Sequence, residues 1–231
     1  MSDQRAATAA RNNAEWCDKV CRSHGITTRW YAEAWTSATR SPPLYPDTVT
    51  LVPNLSVDEL LARIDASPGC SIKDSFASLD LTDQGFRVLF GASWIARTGA
   101  APSPVDATTR WTVLREAHGL ARWEEAWRGG IEQAGTFRTG LLHDPAVVVL
   151  AGLAPDNRIV DGVVLNRSAD AVGISNVFTE RPGDWSGWLA VAASLFPSTT
   201  LVGYESGDEL DLAQHHGFGI VGSLRVWIRD A

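Results

Sequence analysis

The stretch LDLAQHHGFGIVGSLRVW, residues 210–227, carries the clearest structural pattern in the chain. Its first seven residues belong to a helix predicted over residues 208–216, and Gly217 after that helix fits a left-handed C-terminal cap, which glycine adopts without steric cost. Residues 220–228 are rich in branched and aromatic apolar side chains and predict a closing strand. The C-terminus is therefore predicted to be a helix that turns through Gly217-Phe218 into a final strand.

Strand and helix patterns alternate from about residue 111 up to this stretch. Helix patterns place apolar residues three and four positions apart, as at Leu120, Trp123 and Trp127, and strand patterns are short apolar runs between turn residues. The predicted strands are 111–114, 146–153, 159–166, 171–178 and 200–204, and the predicted helices are one around Leu120, a short one over 137–142, and 186–195. The second half therefore runs β-α-α-β-β-β-α-β-α-β.

The first half begins with a helix and ends with a predicted hairpin. Its predicted elements are a helix over 4–24, a strand over 48–52, a short helix capped by Ser56, and strands 71–79 and 86–95 joined around 83–85. Residues 98–109 are rich in Pro, Ala and Thr, which is typical of a linker. We therefore expect an N-terminal lobe over residues 1–100 and a second domain over residues 110–231.

Composition and charge exclude several classes of function. The chain has 231 residues and a formal net charge of -7, which argues against a nucleic-acid partner because such proteins need a basic face to neutralise phosphates. No run approaches the ~20 apolar residues of a membrane helix, and no secretory signal is recognised. Three cysteines, an odd number without an export signal, predict a reducing, cytoplasmic location.

The element order of the second half and the segment through Gly217-Phe218 resemble the GNAT N-acetyltransferase family. The resemblance covers residues 111–228, about half of the chain. It implies an α/β fold whose helices flank a mixed, mostly antiparallel sheet. It also implies an acyl-CoA donor, such as acetyl-CoA, and an amine acceptor on a small molecule or a protein. Two explanations of the N-terminal lobe stay open: a degenerate copy of the same fold, or an extension packed on the sheet.

The resemblance also implies where acyl-CoA would bind. In the family, the pantetheine arm pairs with the backbone of the fourth strand inside a V-shaped split. The pyrophosphate lies on the following loop and helix start, where unpaired N–H groups and the helix dipole favour an anion. The matching positions are Asn176, Val177 and Phe178 at the strand end, and Arg181, Gly183, Ser186 and Gly187 in the loop.

The loop departs from the family pattern, which is Arg or Gln, two residues, Gly, one residue, then Gly or Ala. Alignment on Gly187 places Asp184 first, and alignment on Gly183 places Glu180 first, so both registers put a carboxylate where a phosphate should lie. A carboxylate here would cap the helix itself and use the N–H donors that a pyrophosphate needs. Arg181 could compensate by pairing with phosphate directly.

The reaction needs a base that takes a proton from the amine and an acid that gives one to the leaving thiolate. In many family members the acid is a Tyr four residues before the Gly-Phe turn, and the matching residue here is Ala213. Tyr204 and Glu205, around the end of the predicted fifth strand, are the substitutes; otherwise they are a half-buried strand Tyr and an exposed turn Glu. His215 and His216 end a predicted helix, where an imidazolium favours the dipole.

Two functions are therefore predicted from the sequence. One is an acyl-CoA-dependent N-acetyltransferase. The other is a GNAT-like module without catalysis that binds another ligand or a protein partner, because the loop and the acid position both depart from the family pattern.

A zinc site is the weaker alternative. Cys17, Cys21 and His24 share one face of the predicted first helix, and Cys70 could add a fourth ligand. The spacing is not that of the usual short Cys pairs, and Cys suits an apolar core face equally well. We therefore expect no metal.

Three polar residues, Asn166, Ser175 and Asn176, interrupt otherwise apolar strands. A buried Asn must be hydrogen-bonded. These side chains are therefore expected either to bridge strands or to point into a pocket.

Overall fold

One mixed sheet runs through the computed structural model, which describes residues 2–99, 109–129 and 135–230. Within these residues the strands are β1 (Thr28–Trp30), β2 (Ala34–Ser37), β3 (Thr48–Thr50), β4 (Ser71–Asp74), β5 (Phe86–Arg97), β6 (Arg110–Val113), β7 (Val147–Leu153), β8 (Ile159–Arg167), β9 (Val172–Thr179), β10 (Leu201–Glu205) and β11 (Gly219–Arg229). Their spatial order is β1-β2-β3-β4-β11-β5-β10-β9-β8-β7-β6. Described neighbours pair antiparallel except β3–β4 and β9–β10, which are parallel. The predicted α/β fold with a mixed, mostly antiparallel sheet is confirmed.

The helices lie on this sheet. They are α1 (Ser2–Ser23), α2 (Val57–Leu61), α3 (Ala117–Arg128), α4 (Ser186–Leu195) and α5 (Gly207–His215), with 3-10 turns at Thr82–Gln84 and Thr139–His143. The short helix predicted over 137–142 is the second of these turns. None of the described helices combines the length and the apolar character that crossing a membrane requires.

Helix α1 packs across the middle of the sheet, over β9, β10, β5 and β11. Its sheet-facing residues are small, and Ala6, Ala9, Ala10 and Ala14 are almost fully buried. Small side chains let the helix approach closely, so the first helix of the chain forms one wall above strands from both halves.

The hairpin predicted for the first half is wrong. Strand β4 ends at Asp74, and β11 lies between β4 and β5, pairing Arg225 with both Asp74 and Gly91. The Asp74 carboxylate accepts hydrogen bonds from the Phe76 and Leu79 amides, at 3.3 and 2.9 Å, and so turns the chain out of the sheet. A local turn signal could not reveal that the C-terminal strand inserts here.

Strands from the two sides of the predicted linker interleave. Strand β5, from the first half, lies between β10 and β11, where Trp94 pairs with Tyr204 and Ala92 with Leu224. Most of the linker, residues 100–108, lies outside the described residues. The division into lobes over 1–100 and 110–231 stays a prediction, and β5 ties any such lobes into one sheet.

Tryptophans fill much of the core. The tryptophans whose exposed fraction is at most 2% are Trp16, Trp35, Trp94, Trp123, Trp185 and Trp188. The indole N–H groups of Trp35, Trp94 and Trp123 donate to Asp18 Oδ1, the Ser75 carbonyl and the Leu150 carbonyl, at 2.9, 2.7 and 2.8 Å. These bonds satisfy the one polar atom of each ring, so the indole volume can be buried.

Candidate active site

Strands β9 and β10 separate after a short paired segment. They pair only at Val172 with Leu201 and at Gly173 with Val202. At the next step the strands are still close, because a Cβ on Gly203 would lie 2.6 Å from Ile174 Cγ1. From Ser175 onward the edge of β9 that faces β10 is unpaired with that strand. The two strands therefore stop pairing where the resemblance implies a split.

A β-bulge shapes the open part of β9. Across from it on β8, Gly162 pairs with Phe178 and Val164 with Ser175, so two residues of β9 oppose one of β8. Asn176 lies in this bulge with a φ of 55°, a left-handed conformation that Asn tolerates better than most residues. Its Oδ1 accepts a hydrogen bond from Tyr45 Oη at 3.3 Å. Asn176 therefore both ties β9 to the first half of the chain and faces a pocket.

A pocket of about 230 Å³ lies at the separating strands. Four of the predicted site residues line it, two from β9 and two from β10: Asn176, Val177, Tyr204 and Glu205. Its other walls come from α1, the 44–46 segment, β4 and α3, and include Asn13, Trp16, Cys17, Tyr45, Lys73 and Trp127. The structure thus brings the predicted catalytic pair and part of the predicted cofactor strand to one place.

Glu205 is the titratable carboxyl of this pocket. It ends β10 opposite Ser93 and is partly buried. Burial, and then the negative charge of Glu209, raise its pKa from 4.5 to about 7. Such a carboxyl exchanges its proton near neutral pH, as a general base for an amine must. The alternative explanation, an exposed turn Glu, is therefore wrong.

Tyr204 is held between two other side chains. Its ring meets Trp94 edge-on with the centroids 5.6 Å apart, and Lys73 Nζ lies 4.0 Å from the centroid. Lys73 Nζ also donates to Asn13 Oδ1 at 2.8 Å. Tyr204 is a half-buried strand residue, as one prediction had it, and it also lines the pocket.

The whole fold can now be compared with known proteins. No family model and no curated protein matches the sequence. Among solved structures, the chain is similar to a GCN5-related N-acetyltransferase from Kribbella flavida, with a TM-score of 0.65 and 12% identity over 96% of each chain. The chain has the GNAT fold.

Two further structures are similar to this chain, and the first of them is also named as GCN5-related. A GCN5-related N-acetyltransferase-like protein from Streptococcus suis matches with a TM-score of 0.53 and 12% identity over 99% of each chain. A functionally unknown conserved protein from Staphylococcus epidermidis matches with a TM-score of 0.56 and 9% identity, over 85% of this chain and 84% of that one. The likeness extends over both halves of the chain, whereas the sequence resemblance covered only the second half.

The loop that would hold a pyrophosphate in a GNAT fold contains a carboxylate. Asp184 precedes Trp185, the N-cap residue of α4, and its Oδ1 accepts from the Ser186 amide at 3.1 Å and from the Ser186 hydroxyl. The Ser186 hydroxyl is the main cause of the lowered pKa of Asp184. This negative charge lies at the positive end of the helix dipole. The N-cap residue Trp185 carries no side-chain cap, so Asp184 lies next to the helix start and takes up the Ser186 amide without acting as the N-cap.

Arg181 is directed toward the same carboxylate. Its Nη2 lies 3.4 Å from Asp184 Oδ2 and donates to Thr109 Oγ1 at 3.2 Å. Its amide donates to Thr179 Oγ1 at 3.2 Å. The guanidinium is exposed enough to reach a phosphate, but it is paired with Asp184 in this structure.

The two loop glycines have structural roles. Gly183 has a φ of 88°, a conformation that other residues rarely adopt. A Cβ on Gly187 would lie 2.8 Å from Trp111 Nε1, so a small residue is needed where α4 packs on β6. The Trp111 indole therefore occupies the space that the missing side chain of Gly187 leaves.

His216 also fastens this loop, although the sequence placed it only at the end of a helix. Its ring stacks on Trp185 with the centroids 6.1 Å apart. Nε2 lies 3.3 Å from the Trp185 amide, from which it can accept in one tautomer, and 3.1 Å from the Gly183 carbonyl, to which it can donate in the other. The start of α4 is thus tied to the end of α5.

Phe178 points away from the pocket. Its ring packs edge-on against Trp123 of α3 at 5.3 Å. Of the predicted cofactor residues, Asn176 and Val177 lie at the pocket, Phe178 packs under α3, and the four loop residues lie around the start of α4.

Tyr45 and Lys73 line the pocket from the first half of the chain, for which no site residue was predicted. Tyr45 follows the Pro-rich turn, and burial raises its pKa well above the ordinary value. Lys73 is one of only two lysines in the chain and occupies a short strand whose neighbour Ile72 is fully buried.

The suggested zinc ligands do not assemble. Within residues 2–99, 109–129 and 135–230, no group of three or more His, Cys, Asp or Glu side chains is placed to hold a metal ion. Cys21 Sγ lies 3.4 Å from Ser41 Oγ, and His24 Nε2 lies 2.8 Å from the Thr136 carbonyl. Cys17 and Cys70 are free and buried in the core.

Proposed function

We propose that the protein is an acyl-CoA-dependent N-acyltransferase, which transfers an acyl group from a thioester to an amine. The observation that carries the proposal is the position of Glu205, a carboxyl with a pKa of about 7, in the pocket where β9 and β10 separate. The shared fold with an N-acetyltransferase from Kribbella flavida supports it.

The cleft fits the arm of an acyl-CoA. Beyond Gly173 the main chain of β9 is unpaired with β10, and an extended arm that carries amide groups can hydrogen-bond to such an edge. When bound, the thioester supplies an electrophilic carbonyl carbon. The first-turn amides of α4, with no acceptors inside the helix, and Arg181 would hold the pyrophosphate. Asp184 uses one of these donors, the Ser186 amide, so its carboxylate would compete with a pyrophosphate there.

The pocket residues can manage the protons of the transfer. Glu205 accepts the proton that the amine nitrogen loses as the C–N bond forms. A phenol then donates a proton to the sulfur as the C–S bond breaks. Tyr204, the residue proposed from the sequence, and Tyr45 both line the pocket and can be compared as this donor.

A GNAT-like module without catalysis is the second candidate. The Asp184 contact with Ser186 favours it, because a carboxylate of the chain itself lies beside the helix start and takes up one of its amides. For either candidate we propose a reducing, cytoplasmic location, which the three free and buried cysteines support.

Calorimetric titration with acetyl-CoA, followed by turnover with a panel of amines, tests the proposal. We expect acetyl-CoA to bind, and Glu205→Gln to bind it within threefold of wild type while losing about 10²–10⁴-fold in kcat. Asp184→Asn, which keeps an acceptor for Ser186 but removes the charge, should strengthen acetyl-CoA binding several-fold.

The outcomes separate the two candidates. Binding of acetyl-CoA without turnover of any amine would favour the non-catalytic module. No heat and no thermal shift at millimolar acetyl-CoA, in wild type and in Asp184→Asn, would remove the acyltransferase.

A further inference from the structure

Lys73 is a buried cation without an anionic partner. Its side chain is 3% exposed, and Nζ contacts Asn13 Oδ1 at 2.8 Å and the ring of Tyr204 at 4.0 Å. Among the described residues, no carboxylate oxygen lies within 4.0 Å of Nζ. An ammonium has three N–H donors, so one amide oxygen and one aromatic face leave it incompletely satisfied.

The neighbouring acidic groups do not neutralise this charge. Burial raises the pKa of the Cys17 thiol to about 12, so that thiol is uncharged near neutral pH. Asp74, the next residue in β4, accepts from the Phe76 and Leu79 amides instead. Glu205 shares the pocket, but the causes of its raised pKa are burial and Glu209, without Lys73. A buried charge is normally retained only with a partner, so the partner should come from outside the chain.

Lys73 lies where the pocket meets a second cavity. An apolar groove of about 410 Å³ shares Leu44, Tyr45, Pro46, Lys73 and Tyr204 with it. The rest of the groove includes Leu89 and Phe90 of β5 and Val226 and Ile228 of β11. Leu89 and Phe90 are 48% and 39% exposed, which leaves apolar surface open to a ligand. Two adjoining cavities, with Lys73 in the wall of both, thus offer Glu205 on one side and an apolar wall on the other.

We propose that the acceptor is a small amine that also carries a carboxylate and an apolar group, such as an apolar amino acid. The carboxylate pairs with Lys73, the amino group faces Glu205, and the apolar group lies on the Leu89–Phe90 wall. This inference rests on the proposed N-acyltransferase function, whose acceptor it specifies.

Charge balance favours this acceptor over an amine without a carboxylate. An ammonium that enters alone would meet the Lys73 ammonium in the same partly dehydrated space, and like charges repel strongly there. A carboxylate on the acceptor offsets Lys73 and leaves the amine free to give its proton to Glu205.

Calorimetry with L-leucine and L-phenylalanine, each against its amide, tests the inference without any variant. Wild type should bind the free amino acids at least tenfold more tightly than the amides. With acetyl-CoA present, the same order is expected for kcat/KM. Equal binding of acid and amide, or no binding of either, would overturn the inference.

Lys73→Met supplies the second test, because Met keeps an unbranched chain of similar length without the charge. It should reduce binding of the amino acids at least tenfold and change binding of the amides less than threefold. Lys19→Met, which removes the other lysine of the chain, is the matched control and should leave both unchanged. An equal loss for acids and amides in Lys73→Met would mean that Lys73 only supports the fold.

Failure of the proposed N-acyltransferase function can be distinguished from failure of this inference. In that case acetyl-CoA neither binds nor is consumed, while the preference for amino acids over amides in calorimetry still decides the role of Lys73.

Discussion

Replacing Glu205 by glutamine should change how the stability of the protein depends on pH. Burial and the charge of Glu209 raise the pKa of this carboxyl in the folded chain from 4.5 to about 7. The folded state therefore holds the proton more tightly than the unfolded state. The stability that this proton contributes is fully present below pH 4.5 and is lost as the pH rises to about 7 and above.

The size of the effect follows from that interval. Each pH unit between 4.5 and about 7 corresponds to about 1.4 kcal/mol, which gives an upper value of about 3.5 kcal/mol. Because Glu205 is partly exposed, solvent screening reduces this to about 2 kcal/mol. Glutamine does not titrate, so the stability of Glu205→Gln relative to wild type should rise by about 2 kcal/mol as the pH increases from 4.5 to 8.

Urea denaturation of both proteins from pH 4.5 to 8.5 measures this gain. Asp208→Asn, which removes an exposed carboxyl at the start of the same helix as Glu209, should follow the wild-type curve. A free-energy difference between wild type and Glu205→Gln that stays constant across this range would refute the reasoning. It would also remove the physical basis for Glu205 as a base. If the reasoning holds, kcat/KM of wild type should rise with pH around a midpoint near 7.

Two further substitutions test the frame of the site. Gly203→Ala would place a Cβ 2.6 Å from Ile174 Cγ1 and force β9 and β10 apart. It should lower the free energy of unfolding, measured by urea denaturation, by about 1–3 kcal/mol. Unchanged stability would contradict this close approach of the two strands. Asp47→Ala removes the carboxylate that accepts from the Ser41 and Ser71 amides, at 2.6 and 3.0 Å. It should lower the free energy of unfolding by about 3–5 kcal/mol in the same assay. A loss below about 1 kcal/mol would show that this carboxylate does not hold the 41–46 segment.

The elements that the sequence predicted best are those with local signals. Helix α4 runs over Ser186–Leu195, the predicted range, and Ser56 Oγ accepts from the Glu59 amide at 3.4 Å as the capping pattern requires. Gly217 has the predicted left-handed conformation, with a φ of 84°. Caps, turns and apolar spacing act over a few residues, so they can be recognised without knowledge of the rest of the chain.

The failures concern contacts between distant parts of the chain. The predicted hairpin of the first half does not form, because the backbone donors of β11 pair with both β4 and β5. A strand pattern shows that a segment is extended, but it does not show which of several strands becomes its neighbour.

The candidate site divides in the same way. Asn176, Tyr204 and Glu205 could be named from the sequence, because polar residues interrupted or ended strands of a recognisable order. Tyr45 and Lys73 could not, because folding brings them across the sheet from another part of the chain. The sequence by itself determined the helices, most strands and the carboxyl at the end of β10. Only the tertiary structure decided the pocket and the proton affinity of that carboxyl, because both depend on which side chains exclude water from it.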